Sequence, residues 1–285
     1  MAAALGQPVI EAAFIAACEA ELRALKPGNV HMFEAGHGME VKHFQDAAKA
    51  AAPFITDPSL TVGQRILNAT EASFAVTGLN TNLGIILLCA PLAKAAAEID
   101  AGTGLRRRLA VVLSLLNVDD SANAFAAIRI SNPAGLGHAD EGDVHAAPTV
   151  TLIQAMHLAS ERDRIANAYV TAYADIFDFA LPALQDARAT AETPDLAVTT
   201  LHMMLMSEYS DSHIARKHGV AAALAVQQEA RDLKSSWTPA ASLRTLSKLA
   251  KFDRDLKGRG LNPGTTADFV VATLFTEGLS RRKQP

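Results

Sequence analysis

Large rings and thiols are scarce in this chain: aromatic residues make up 5% of its 285 residues, with one Trp and three Tyr, and there are two cysteines. Cys18 and Cys89 both sit inside apolar, helical-looking stretches, which excludes a disulfide scaffold and a cysteine-based zinc site. Long apolar runs are also missing. The two most apolar stretches, Leu83–Ala93 and Leu109–Val118, are bounded by charge and fall short of the roughly 20 residues of a membrane span. Met1–Leu25 lacks a basic leader and is interrupted by Glu11, Glu19 and Glu21, so it does not read as a signal peptide. Nor is there an excess of one charge: 26 Lys and Arg stand against 30 Asp and Glu, for a net charge of −4. A general nucleic-acid binder should be more basic. These absences lead us to expect a cytoplasmic protein with reduced thiols and with neither a membrane nor a nucleic acid as partner.

What is present is helix-forming material. Hydrophobic residues reach 49%, and with so few rings that weight lies in Ala, Leu, Val and Ile. Pro8 opens a first helix that runs to Leu25 and stops at Lys26-Pro27-Gly28. Thr61 to Gln64 reads as a capping box for a helix that Gly78 ends, and Asn80-Thr81-Asn82 separates it from another over Leu83–Ile99. Thr103, then Asp119 or Asp120, can cap two more. After a long polar segment, Ser131–Pro148, helices resume over Thr149–Ser160, Glu161–Ala180, from Thr193-Pro194, and over Val220–Lys234, Pro239–Lys257 and Thr265–Leu279. No stretch alternates strictly with β-branched residues and hairpin turns. The expected fold is all-α: one compact catalytic domain over 1–285, of about ten helices.

Polar groups concentrate at the helix junctions. Lys26-Pro27-Gly28 offers a point charge and a residue that lets backbone approach a ligand. Glu71, then Asn80, Thr81 and Asn82, lead into a helix start whose unpaired amides suit an anion. The Ser131–Pro148 segment carries Gly135, His138, Asp140, Glu141, Asp143 and His145, at spacings that match no standard zinc or calcium signature. Asp211 precedes Arg216-Lys217-His218-Gly219, and Asn262-Pro263-Gly264-Thr265-Thr266-Ala267-Asp268 opens an apolar helix. Each junction is equally well read as a capped helix end. Phosphate-loop, dinucleotide and metalloprotease motifs are absent, as are serine-nucleophile elbows. The residues alone stop at a helical protein with junctions suited to a phosphorylated ligand and Mg²⁺.

In order along the chain, Lys26-Pro27-Gly28, Thr77-Gly78-Leu79-Asn80-Thr81, Asp211 with Arg216-Lys217-His218-Gly219, and Asn262–Asp268 resemble the triphosphoribosyl-dephospho-CoA synthase family. The resemblance implies an all-α enzyme that transfers the ribose C1 of ATP to the 2′-hydroxyl of 3′-dephospho-CoA and releases adenine, which makes the precursor of a prosthetic group. Such chemistry needs a Mg²⁺-neutralised triphosphate, a stabilised oxocarbenium-like centre and a base for the acceptor hydroxyl. On that footing Asp211 and Asp268 are expected as catalytic or Mg²⁺-binding carboxylates, with Glu71 as base or further metal ligand. Lys26, Gly28, Asn80, Thr81, Asn82, Arg216, Asn262, Gly264 and Thr265 are expected to hold substrate phosphates.

The chain also departs from the family. Members of the citrate lyase branch have Asn-Thr-His-Lys-Gly where Asn80-Thr81-Asn82-Leu83-Gly84 stands, and Arg129–Gly137 replaces a Gly-Ala-Arg-Gly-Glu-like stretch. The missing His and Lys favour an alternative: pentosyl or phosphoribosyl transfer from another ribose-phosphate donor to another hydroxyl acceptor, in biosynthesis of a one-carbon carrier of methanopterin or methanofuran type. A third reading is a non-catalytic helical protein that binds a nucleotide or a carrier protein.

Overall fold

A computed structural model describes residues 4–98, 103–133, 137 and 141–280. The described residues form fourteen α-helices: α1 (Gln7–Arg23), α2 (Val41–Thr56), α3 (Val62–Thr77), α4 (Leu83–Ala97), α5 (Gly104–Ser114), α6 (Val118–Ser131), α7 (Leu152–Ala159), α8 (Arg164–Val170), α9 (Leu181–Thr190), α10 (Pro194–Glu208), α11 (Ser212–His218), α12 (Val220–Asp232), α13 (Leu246–Gly258) and α14 (Gly264–Ser280). A π-helical turn over Asp175–Ala180 and a 3₁₀ turn over Lys234–Ser236 complete the set. Extended pairing among the described residues is limited to two isolated bridges, His31 with Glu34 and Gly36 with Met39. No single helix is long and apolar enough to cross a membrane. The fold is thus all-α, with more and shorter helices than the sequence pattern suggested. The expected helix Glu161–Ala180 breaks because Ala172 and Tyr173 take positive φ of 48° and 59°. Val41–Thr56 is a helix that the pattern did not reveal.

The described residues divide into two compact units, one of those within 4–17, 43–174 and 275–280, the other of 18–42 and 175–274. In the first unit α4 is the core helix, apolar all round, and packs against α3, α5, α6 and α8. Pro91 inside it has no N–H to give, which would leave the carbonyl of Leu87 without its helical donor. The buried Tyr169 hydroxyl supplies that bond at 2.7 Å, and Tyr173 donates to the neighbouring Leu88 carbonyl at 3.0 Å. The end of α2 is closed in a related way. The fully buried Arg65 donates through Nη1 to the Ile55 carbonyl and through Nε to that of Leu60, at 2.5 and 3.1 Å, and burial lowers its pKa to about 10.

The capping boxes at Thr61/Gln64, Asn117/Asp120 and Thr151/Gln154 are formed, whereas Thr103 makes no side-chain cap. Helix α3 packs tightly on α6 at Gly63, whose N–H donates to Asp120 Oδ1 at 2.7 Å. A Cβ on Gly63 would lie 2.5 Å from the Asp120 Cα and 2.9 Å from its carbonyl oxygen. Gly63→Ala should therefore destabilise the protein by about 1–3 kcal/mol, against the gain of up to about 1 kcal/mol that Ala brings to an open helix position. Urea unfolding decides the sign; a stability equal to or above wild type would overturn the close-packing account.

In the second unit α10 packs between α9 and α12, and α11 packs on α12. Its core gathers Leu25, Met203, Met206, Ile214, Val226, Trp237, Leu249, Phe252 and Leu256. Trp237 fits there because its indole N–H reaches the Ala230 carbonyl at 3.0 Å.

Candidate functional site

The second unit brings three of the polar junctions together: the turn after α1, the start of α11 and the start of α14. Asn29 Nδ2 donates to Asn262 Oδ1 at 2.8 Å, joining the first junction to the last. Asp211 joins the other two. Its Oδ1 accepts from the Ile214 N–H at 3.0 Å as the N-cap of α11, and its Oδ2 accepts from the Thr266 N–H and hydroxyl, both at 2.8 Å. One carboxylate therefore caps two helices. Burial raises its pKa, opposed by these hydrogen bonds.

Lys26 is fully buried beside the α14 start. Its ammonium donates to Glu21 Oε1, to Asn29 Oδ1 at 2.8 Å and to the Val30 carbonyl at 2.7 Å. An ammonium has three protons, so all are engaged within the protein, and Lys26 is placed as the partner of buried Glu21 rather than as a phosphate hook. Burial pushes Lys26 down and Glu21 up, and each partner's charge pulls the other back; the Asp268 carboxylate also favours charged Lys26. Gly28 likewise serves packing. Its φ is +85°, and a Cβ would meet Pro263 Cδ at 2.7 Å, Leu256 Cδ1 at 2.9 Å and the Leu261 carbonyl at 3.1 Å.

The Gly28 N–H donates at 2.8 Å to Oδ1 of Asp253, a buried residue of α13 that sequence reasoning did not single out. Asp253 Oδ2 faces His31 Nε2 at 3.1 Å and Lys257 Nζ at 3.0 Å. Burial opposes ionisation of Asp253, but the hydrogen bonds from His31 and Lys257 outweigh it and lower its pKa. The tautomer with its proton on Nε2 gives the ionised Asp253 carboxylate a donor and leaves Nδ1 as a bare acceptor; that atom is buried and has no partner. His202 on α10 repeats the pattern more weakly. Its Nε2 lies 3.3 Å from the Pro27 carbonyl and its buried Nδ1 is also without a partner. Burial, with Lys26 next, lowers its pKa to about 3, and burial also lowers that of His31. His37 Nε2 donates to the Gly28 carbonyl at 2.9 Å. His213, lowered to about 4 by burial and by Arg216 and Lys217, lies against Gly264, where a Cβ would stand 2.9 Å from its Nδ1. The Thr265 hydroxyl accepts from the His213 N–H at 3.2 Å.

Arg216 is half-buried in the last turn of α11, and Asp268 is half-buried in α14. The remaining expected residues lie in the first unit. Glu71 is exposed on α3, Asn80 is exposed, and Asn82 starts α4 without a side-chain cap and donates to the Ser73 hydroxyl at 3.2 Å. The Thr81 hydroxyl is buried without a partner. Of the polar segment after α6, Gly135, His138 and Asp140 lie outside the described residues, and Asp143 accepts from the His145 N–H. No three His, Cys, Asp or Glu among the described residues stand together as a metal site. The Asp211 carboxylate is spent on three protein donors that cap two helices, which suits a structural role better than the part of metal ligand expected of it alongside Glu71 and Asp268.

The model of the CitG family, described as ATP:dephospho-CoA triphosphoribosyl transferase, matches residues 8–285. A 2-(5''-triphosphoribosyl)-3'-dephosphocoenzyme-A synthase of Klebsiella pneumoniae is 32% identical over 98 residues, 34% of this chain and 35% of that protein. A protein of Albidiferax ferrireducens, named as a probable synthase of the same kind, is 34% identical over 93 residues, 33% of this chain and 30% of that protein. The chain thus spans about a third of the length of these curated relatives. A solved structure from Archaeoglobus fulgidus that carries the name triphosphoribosyl-dephospho-CoA synthase matches with a TM-score of 0.65 at 21% identity, over 85% of this chain and 98% of that one, so the fold is shared.

Proposed function

Since the chain belongs to the CitG family of ATP:dephospho-CoA triphosphoribosyl transferases, we propose that it transfers the triphosphoribosyl group of ATP to 3′-dephospho-CoA and releases adenine. The observation that carries this reading is the family match over residues 8–285, which takes in every junction that bears the resemblance. The tie of Asn29 to Asn262 and of Asp211 to Thr266 supports it, since residues far apart in sequence are assembled into one polar centre. Neither the one-carbon-carrier reading nor the non-catalytic reading gains support from the family match.

In this proposal Asp211 positions the starts of α11 and α14, while Asp268 and Arg216 are the nearer candidates for contact with the nucleotide. Mg²⁺ enters bound to the triphosphate, its usual mode with nucleotides, where one or two carboxylates and several waters suffice. Asn80, Thr81 and Asn82 are proposed as a separate phosphate-facing group at the α4 start, whose first amides the Asn82 side chain does not cap.

Incubation with Mg²⁺, ATP and 3′-dephospho-CoA should yield free adenine and a product heavier than dephospho-CoA by the triphosphoribosyl group, both read by mass spectrometry. An ATP pool left intact would sink the proposal.

A further inference from the structure

The buried imidazoles of the second unit include two, His31 and His202, with a ring nitrogen that nothing satisfies. A buried polar atom left bare costs free energy, and the few that native structures keep call for an explanation, catalysis among them. The two histidines differ in what holds the opposite nitrogen. His202 leans only on the Pro27 carbonyl, a neutral acceptor at 3.3 Å that offers little to an imidazolium. His31 is held by the ionised carboxylate of Asp253 at 3.1 Å, which both fixes its tautomer and balances a positive ring.

We propose that His31 is the general base of the transfer reaction, with Nδ1 accepting the proton of the acceptor hydroxyl and Asp253 acting as its positioning residue. This rests on the function proposed above, and it puts the base on His31 in place of Glu71, which is exposed on α3. As the C1′–N9 bond of ATP breaks, its electron pair leaves with adenine and the acceptor oxygen bonds to C1′. The hydroxyl proton passes to His31 Nδ1 and later to water, and adenine takes one proton from water. Asp253 stays ionised throughout and keeps the Nε2 proton in its hydrogen bond.

The charged and titratable groups facing His31 fit that role. Asp253 and Lys257 come from α13, Lys26 from the turn after α1 and His202 from α10. Lys257 Nζ stands 3.3 Å from Nε2 but donates to Asp253 Oδ2 at 3.0 Å and to the Glu34 carbonyl at 3.2 Å, since a protonated Nε2 has no lone pair to accept from it. Burial and the two lysines lower the pKa of the ring, opposed by Asp253, so that the resting ring is neutral and its Nδ1 lone pair is free to take a proton. His31 borders the surface at the 31–40 segment, where its ring centroid lies 5.8 Å from that of Phe33, which is 69% exposed.

The test combines kinetics with a spectrum that needs no turnover. His31→Gln should lower kcat by about 10²-fold or more, with KM for ATP little changed, and should abolish the acidic limb of the kcat/KM profile. Asp253→Asn should keep that limb but move it to lower pH, because the ring loses its counter-charge; a merely structural role would move neither limb. In ¹⁵N spectra of histidine-labelled protein at pH 7, His31 should show Nε2 protonated and Nδ1 bare. Product formed by His31→Gln at the wild-type rate, or an Nδ1-protonated His31, overturns the inference and leaves the proposed function standing. A wild-type protein that makes no product overturns both. Should His31→Gln fail to fold, as read by circular dichroism, the shifted limb of Asp253→Asn decides alone.

Discussion

Lys26→Met should unfold at a far lower urea concentration than wild type, with a loss of about 3–5 kcal/mol. The substitution leaves the Glu21 carboxylate buried without its cation and strips the Asn29 side chain and the Val30 carbonyl of a donor in the same place. A charge stranded in low dielectric costs several kcal/mol, and Glu21 already has a raised pKa from burial even with Lys26 beside it. The double variant Glu21→Leu/Lys26→Met should recover most of that loss, since a buried ion pair is replaced by apolar side chains of similar volume at little net cost. The two changes are then strongly non-additive. Single and double variants that lose stability in simple sum would overturn the pairing account and return Lys26 to the role of a ligand for substrate phosphate.

That reversal of role shows where the sequence was legible and where it was not. Local signals read well because their physics is local: the Thr61/Gln64 box, the Gly78 stop and the Thr193-Pro194 start all form as their spacing implies. The family resemblance also pointed to the junctions that the second unit gathers. What escaped was which polar groups are buried together, since tertiary packing and not local spacing decides that. Lys26 looks like a solvated or ligand-binding lysine until Glu21, one helical turn and a bend away, is seen to be buried with it. Asp211 looks catalytic until both of its oxygens are found capping helices whose starts lie more than 50 residues apart. Asp253 does not stand out at all, because nothing local says that Gly28 and His31 will close over its carboxylate. The two histidines with bare nitrogens were unreadable for the same reason: a His in an apolar helix, as at 202, carries no mark of whether its second nitrogen is satisfied.

Those histidines also set the acid stability of the protein. His31, His37, His202 and His213 all have lowered pKa values, burial being the first cause in each. A neutral buried imidazole binds fewer protons than the same group in the unfolded chain, so stability rises with pH across the window between the two pKa values. Their contribution is whole above the unfolded value of about 6.5 and is lost as pH falls toward the folded values, about 3 for His202 and about 4 for His213. Between pH 7.5 and pH 5, His202 alone should account for a loss of about 2 kcal/mol, from a limiting slope of about 1.4 kcal/mol per pH unit. Glu21 and Asp211 act in the opposite sense, because burial raises their pKa values and the folded protein takes up their protons first. A single variant separates the two. His202→Gln keeps an N–H for the Pro27 carbonyl but cannot titrate, so its urea-unfolding free energy should fall by about 2 kcal/mol less than that of wild type over the same pH interval. An equal fall in both proteins would mean that His202 is protonated inside the folded core, and that its bare nitrogen has an acceptor the geometry does not reveal.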